Sequence, residues 1–366
     1  AMGLYDGIRP DSDEGSGFEV SRILQLPVVV VVDASGSART VAAVVKGMTD
    51  FGPAEIAGVV ANRVGSTRHA EMIGLALSSA GLPPLVGFVP QGAIPSLPER
   101  HLGLLPPDGS DDIVERLADA IEATVDLDAL CAAARPLSLP VPADRRNETG
   151  RGLRLGLSWD EAFRFAYAPV VERLGARGVD VVRFSPLADA TLPTDLDGLW
   201  ICGGYPEVHA AQLTANITMR ADITRFCQSG KPVLAECGGL LYLTTEIVTQ
   251  SGDSHQMCGV VPAIGRMGDR LQSLGYRTAR AREDLFLAAL GEVLRGHEFH
   301  YGILEGEPTG SWRAAYELEG SRGVSGQEGW WNGSVLATWF HGWLASGDSL
   351  DRWIAAMRQA KERNAT

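Results

Sequence analysis

Residues 232–243 read PVLAECGGLLYL. Pro232 to Ala235 have strand character, Glu236 and Cys237 follow, and after two glycines an apolar, helix-like run begins. A sharp strand-to-helix turn presents its side chain outward. Glycines directly after the turn let the backbone bend and let another group approach closely. A helix N-terminus also favours a thiolate. Cys237 is therefore a candidate nucleophile on an elbow, with a lowered thiol pKa expected. An isolated CGG is equally the signature of a small buried cysteine at a tight turn, because free cysteines are commonly core residues.

The chain around this elbow alternates between buried-type strands and helices. Leu26–Asp33 reads as a fully buried strand, followed by a helical pattern at Ala38–Met48. A strand at Ile56–Ala61, a helix at Arg68–Ala80, a strand at Leu85–Val89 and a helix over Asp111–Leu130 come next. Residues 136–151, PLSLPVPADRRNETGR, are Pro-rich and polar and read as a linker. Alternation restarts with a strand at Leu153–Leu157, a helix at Asp160–Leu174, and strands at Val179–Phe184 and Leu199–Cys202. A long helix is expected over His209–Ser229, then the elbow, then a strand- and turn-rich segment from 256 to 335. A strand at Val335–Phe340 ends at His341, and Ser349–Arg363 closes as an amphipathic helix. The expected fold class is α/β: two α/β domains over 1–135 and 152–366, with parallel sheets covered on both faces.

Composition narrows the function classes. The 366 residues are 45% hydrophobic and 21% charged, with a net charge of −13, which suits a soluble globular protein. Three lysines, Lys46, Lys231 and Lys361, leave the basic residues almost all Arg. An acidic chain without a basic cluster argues against nucleic acid. No apolar run approaches the ~18 residues a membrane span needs. Five cysteines without CxxC spacing suit reduced thiols in the cytoplasm better than a disulfide frame or a zinc site. His297-x-x-His300 is a weak metal signal with no third ligand near it.

Two further features bear on Cys237. His341, followed by Gly342, sits at a strand end and can serve as the base that a thiol nucleophile needs. Gly203-Gly204-Tyr205-Pro206 also follows a strand, and small residues there can aim backbone N–H groups at an oxyanion. C-terminal strand edges are where open α/β sheets bind ligands.

ICGGYPEVHAAQLTAN (201–216), AECGGLLYL (235–243), GHEFHYG (296–302) and ATWFHGW (337–343) resemble the glutaminase domain of the cobyrinate and hydrogenobyrinate a,c-diamide synthases. MGLYDG (2–7), VVDASGSAR (31–39), VANRVGSTRH (60–69) and LPERHLGLLP (97–106) resemble the same family's first domain. The resemblance implies a class I-like glutamine amidotransferase domain preceded by a P-loop domain similar to dethiobiotin synthetase. It implies ATP- and glutamine-dependent amidation of a corrinoid polycarboxylate, with Mg²⁺, in cobalamin biosynthesis. Cys237 would attack the glutamine carboxamide, and His341 would deprotonate the thiol and then protonate the departing ammonia. Gly204 and Gly238 would supply oxyanion N–H groups, with Gly203 and Tyr205 beside them in the glutamine site. Most class I glutaminases carry a Glu two residues after this His; here the position is Trp343. The resemblance therefore implies a Cys–His dyad, and Glu298 and His300 are candidates for orienting the imidazole, a purely structural role in their strand being the alternative. Nickel-sirohydrochlorin a,c-diamide synthases share these motifs, and a non-catalytic binding module with a glutaminase shell is a further alternative.

On the ATP side, Asp6 resembles the family carboxylate near magnesium and substrate, and Asn62 and Arg63 resemble residues lining the adenine pocket. Loop capping and a solvated Arg are the alternatives for the last two. The 366 residues contain no GxxxxGK[ST]. The resemblance places that loop before MGLYDG, so the expectation is an N-terminal truncation, loss of synthetase activity, and an open sheet edge that promotes association into a homodimer.

Overall fold

The computed structural model describes residues 3–94, 111–136, 148–320 and 325–365; the LPERHLGLLP stretch lies outside them. The chain divides into two compact units, Ala1–Val141 and Pro142–Thr366.

The first unit is built on three parallel strands in the order Val28–Asp33, Ile56–Val64, Leu85–Pro90. Helices Arg39–Phe51 and Thr67–Ser79 connect them. One face buries Val30, Val32, Val59 and Ala61 against Val41, Val45, Ile73 and Leu77 of those helices. On the other face, Val60, Val86 and Val89 pack with Val125, Ile121 and Leu130. That second cover does not reach the first strand. Val29 is 38% and Val31 64% exposed, so the VVVVVD run is half-buried and alternating rather than fully buried as expected. A continuous Val run carries no record of how many faces are covered. The helix expected over Asp111–Leu130 is two, Asp111–Glu122 and Leu127–Ala133. Val125 bridges to Gly87 at the break, and Asp126 caps the second helix through the Ala129 N–H.

The second unit holds a ten-stranded sheet. Its parallel part runs Val335–Thr338, Val233–Glu236, Gly198–Ile201, Arg154–Ser158, Asp180–Phe184. Its antiparallel part runs from Val335–Thr338 through Ser325–Trp331, Arg313–Gly320 and Ser273–Ala281 to Val293–His300, and ends on His341–Gly342. Thr338 and His341 are three residues apart in sequence, yet their strands lie far apart in the pairing order. The antiparallel part must therefore curl back on itself. Trp200, Tyr242, Tyr316 and Trp353 are among the largest side chains in the core beneath it. Helix Ser349–Ala365 contributes Trp353, stacked edge-on to Trp200 at 5.8 Å.

Two expected helices differ. Asp160–Leu174 is a turn, a short strand Phe163–Phe165 and a helix Ala168–Ala176. The Asp160 carboxylate accepts from the N–H groups of Ala162, Phe163 and Leu187 and from Ser185 Oγ, which stabilises the turn against a helix. Pro169 then sits in the first turn of the helix that follows, where its missing N–H costs nothing. The long helix over His209–Ser229 breaks at Asn216 into Ala210–Ala215 and Ile217–Gln228. Asn216 Oδ1 caps the second piece by accepting from Met219 N, while Nδ2 donates to the carbonyls of Pro186 and Asp189.

Candidate active site

The four residues of Val233–Glu236 are buried, and the strand delivers Cys237 to the C-terminal edge of the sheet. Cys237 has φ 49° and ψ −101°, a backbone region that L-residues avoid and that marks strained functional turns. Its N–H donates to the Thr338 carbonyl at 2.7 Å, and the helix Gly238–Leu243 starts on the next residue. A Cβ on Gly238 would sit 2.8 Å from the Gly204 nitrogen and 2.9 Å from Pro206 Cδ. A Cβ on Gly239 would sit 2.0 Å from the Ile201 carbonyl oxygen. The first glycine lets the 203–206 loop lie across the elbow, and the second lets the helix press onto the neighbouring strand. Phe163–Phe165 pairs with Gly203–Gly204 and holds that loop from its other side.

His341 reaches the same edge by a different route. Val335–Thr338 lies parallel to Val233–Glu236, with Thr338 opposite Glu236. Three residues later His341 pairs with His297 across the curled part of the sheet. The two imidazoles stack, centroids 4.9 Å apart and planes 11° apart. Tyr167 Oη lies 2.8 Å from His297 Nδ1, and Tyr167 also packs edge-on against Trp343. A Cβ on Gly203 would meet His341 Cε1 at 2.6 Å, so the oxyanion-loop candidate and the candidate base are in contact.

Two buried carboxylates brace the loop that carries His341. Glu236 accepts from Trp200 Nε1 at 2.8 Å and from the Gly342 backbone N–H. Glu328 accepts from Thr338 Oγ1 and from Trp339 N at 2.6 Å. Burial pushes Glu236 up to about 7 and Glu328 up to about 8, against the opposing effect of these donors.

The electrostatics of the pair differ from the expectation of a lowered thiol pKa. Burial pushes the Cys237 thiol up to about 12, Glu207 adds to the rise, and the Gly238 N–H opposes it. The helix behind it has six residues, and its end cannot offset desolvation of a thiolate. Burial likewise lowers His341 to about 3, with His297 and His300 acting the same way. At neutral pH the resting pair is a thiol and a neutral imidazole.

Neither candidate for orienting the imidazole is hydrogen-bonded to it among the described residues. Glu298 is paired with Arg277 at 2.6 Å and accepts from Ser273 at 2.8 Å. His300 stacks on Trp339 at 4.2 Å, and its Nδ1 lies 2.8 Å from the Gly302 carbonyl. The sequence offers His297 only as a weak metal signal and does not point to Tyr167, Glu236 or Glu328. Strand alternation was the available signal, since it puts His297 and His300 on opposite faces. The same alternation removes the HxxH metal reading, and no group of three His, Cys, Asp or Glu able to hold a metal occurs among the described residues.

In the first unit, Asn62 and Arg63 lie at the C-terminal end of Ile56–Val64. Asn62 Oδ1 accepts from Arg63 N at 2.9 Å, and Arg63, at φ 60°, pairs with Asp33 at 3.0 Å. Asp33 is the register partner of Asn62. Asp6 is exposed and belongs to no metal-binding cluster among the described residues.

The family model for the CobB/CobQ-like glutamine amidotransferase domain matches residues 156–349. The cobyrinate a,c-diamide synthase of Syntrophotalea carbinolica is 41% identical over 353 residues, which is 94% of this chain and 77% of the relative. The chain belongs to the cobyrinate a,c-diamide synthase family. The cobyrinate a,c-diamide synthase of Salmonella typhimurium is 37% identical over 98% of this chain and 80% of the relative. The hydrogenobyrinate a,c-diamide synthase of Mesorhizobium japonicum is 40% identical over 93% of this chain and 78% of the relative. The chain is thus an enzyme of the glutamine-hydrolysing carbon–nitrogen ligase class. No helix among the described residues is long and apolar enough to cross a membrane.

Proposed function

We propose that the protein releases ammonia from glutamine at Cys237 and His341, for amidation of the a and c carboxylates of cobyrinic or hydrogenobyrinic acid. The observation that carries this is the convergence at one sheet edge of a strained cysteine elbow, a buried histidine and the closely apposed backbones of Gly204 and Gly238.

Each group takes one role. His341 accepts the thiol proton as Cys237 sulfur forms a bond to the carboxamide carbon. Charge on the carbonyl oxygen is met by the N–H groups of Gly204 and Gly238, with Gly203 and Tyr205 shaping the same loop. The carbon–nitrogen bond breaks, and the imidazolium returns its proton to the leaving ammonia. Water then attacks the thioester with His341 again accepting a proton, giving glutamate and the free thiol. With the thiol near 12 and the imidazole near 3 in the resting site, proton transfer is coupled to attack and not completed beforehand. Stacking on His297 and the Glu236 contact to Gly342 hold the ring in place, with no carboxylate among the described residues hydrogen-bonded to it.

Ammonia displaces nothing from a free carboxylate. ATP is the co-substrate that turns the acceptor carboxylate into an acyl phosphate, in keeping with the ligase family. Asp6, Asn62 and Arg63 are proposed on that side. The described residues assemble no magnesium-binding cluster.

The test is ammonia release from L-glutamine by the parent chain, Cys237→Ala, His341→Ala and His300→Ala. Cys237→Ala should abolish it. His341→Ala should lower it about 10²- to 10⁴-fold, the usual effect of losing a general acid–base, and His300→Ala far less. With ATP, Mg²⁺ and cobyrinic acid added, the missing GxxxxGK[ST] loop leads to the expectation that no label from amide-¹⁵N glutamine enters the corrin amides, so that ammonia release is read separately from amidation. Unimpaired release by Cys237→Ala would end this reading.

A further inference from the structure

Four carboxylates lie in or near this site, and three have partners. Glu236 is held by Trp200 and Gly342, Glu298 by Arg277 and Ser273, and Glu328 by Thr338 and Trp339. Glu207 is the exception. It is partly buried, and apart from its own backbone N–H its carboxylate has no hydrogen-bond or ionic partner among the described residues. Its position is fixed by its neighbours. Pro206 Cδ abuts Gly238, the residue after the nucleophile, and Gly204 packs on the same spot. Glu207 also bears on the Cys237 thiol more strongly than Glu236 or Glu298 does.

A carboxylate withdrawn from water without a counter-charge is costly, and desolvation raises Glu207 to about 7. Such a group is balanced when a cation arrives with the ligand. Resting on the reading above, the ligand is glutamine, a zwitterion whose α-ammonium lies at the far end of the molecule from the carboxamide. We infer that Glu207 is the site for the α-ammonium of glutamine. While the site is empty, the unpaired carboxylate adds to the rise that burial imposes on the Cys237 thiol. Bound substrate supplies the counter-charge that this carboxylate lacks.

The test compares L-glutamine with glutaramate, the same amide lacking the α-amino group, on the parent chain and on Glu207→Gln and Glu207→Asp. Glu207→Gln should raise KM for L-glutamine about tenfold or more, the scale of one charge-assisted hydrogen bond. KM for glutaramate should stay within about twofold, because that molecule cannot use the carboxylate. Glu207→Asp keeps the charge and should recover part of the discrimination. Alkylation of Cys237 by iodoacetamide, which carries no ammonium, should become faster in Glu207→Gln, whereas inactivation by 6-diazo-5-oxo-L-norleucine should become slower. Opposite responses to the two reagents cannot arise from misfolding. Equal effects on both amides, or slowing by both reagents, would overturn the assignment. If the diazo reagent fails to label Cys237 even in the parent chain, the nucleophile assignment itself is wrong, and the Glu207 inference goes with it.

Discussion

His297 lies face to face with His341 across the antiparallel register of their strands, centroids 4.9 Å apart and planes 11° apart. The stacked ring holds the candidate base where many cysteine–histidine sites use an acceptor side chain. Tyr167 in turn holds His297 through its Nδ1 at 2.8 Å.

His297→Ala should therefore lower kcat for glutamine hydrolysis by about 10- to 100-fold, the range that follows from a misplaced reacting group, with KM little changed. His297→Phe preserves the stacked face and should recover most of the loss. Steady-state kinetics on both variants check this, and equal loss in both would point to a proton-transfer role for His297 in place of a steric one.

The pH behaviour of Cys237 follows from the direction of two shifts. A thiol near 12 is protonated at pH 7, and an imidazole near 3 is neutral there. The substrate-free site then has no thiolate plateau. Iodoacetamide alkylation should climb by about tenfold per pH unit from 7 to beyond 9, because the thiolate is the reacting form. Peptide mass spectrometry must follow Cys237 separately, since Cys131 is exposed, whereas Cys202, Cys227 and Cys258 are buried and should react slowly. A plateau below pH 8 would show a preformed thiolate–imidazolium pair.

Gly203→Ala would place a methyl group 2.6 Å from His341 Cε1. One of the two must move, and the ring is confined by His297. Ammonia release should fall about 100-fold while the melting temperature drops by a few degrees. An active Gly203→Ala enzyme would show that the imidazole has room to spare.

The Arg277–Glu298 pair is a structural test. Both side chains are under 10% exposed, and breaking a buried pair by removing one partner costs about 3–5 kcal/mol. Glu298→Gln should lose about that much stability at pH 7. Glu298 is held down to about 2 from an ordinary 4.5 by its donors, against the opposing effect of burial. The native carboxylate thus contributes stability above pH 4.5 and loses it as pH falls towards 2. The difference in chemical unfolding between parent and Glu298→Gln should shrink over that interval.

The elbow at Cys237 was legible in sequence because strand, cysteine, two glycines and helix are contiguous, and local rules govern such turns. His341 was legible for a similar reason, as a histidine ending an apolar strand. His297 was not, because its partner is fixed by the curl of the sheet and not by spacing along the chain. Glu236 and Glu328 were hidden by the same non-local pairing. The half-buried Val28–Asp33 strand and the break at Asn216 show a second limit. Periodicity records which residues are apolar, whereas the extent of a neighbouring layer, or a side chain reaching a distant carbonyl, decides what they do.

The curl of the antiparallel strands also sets an order in time. Cys237 leaves the ribosome more than a hundred residues ahead of His341, and the strand that pairs with His341 is made in between. Until the last strands close the sheet, the thiol lacks its proposed base, and its N–H lacks the Thr338 carbonyl it will bond to. The candidate pair is therefore complete only after His341 has been made. On the proposed roles, a nascent chain that ends before His341 carries a cysteine without its base.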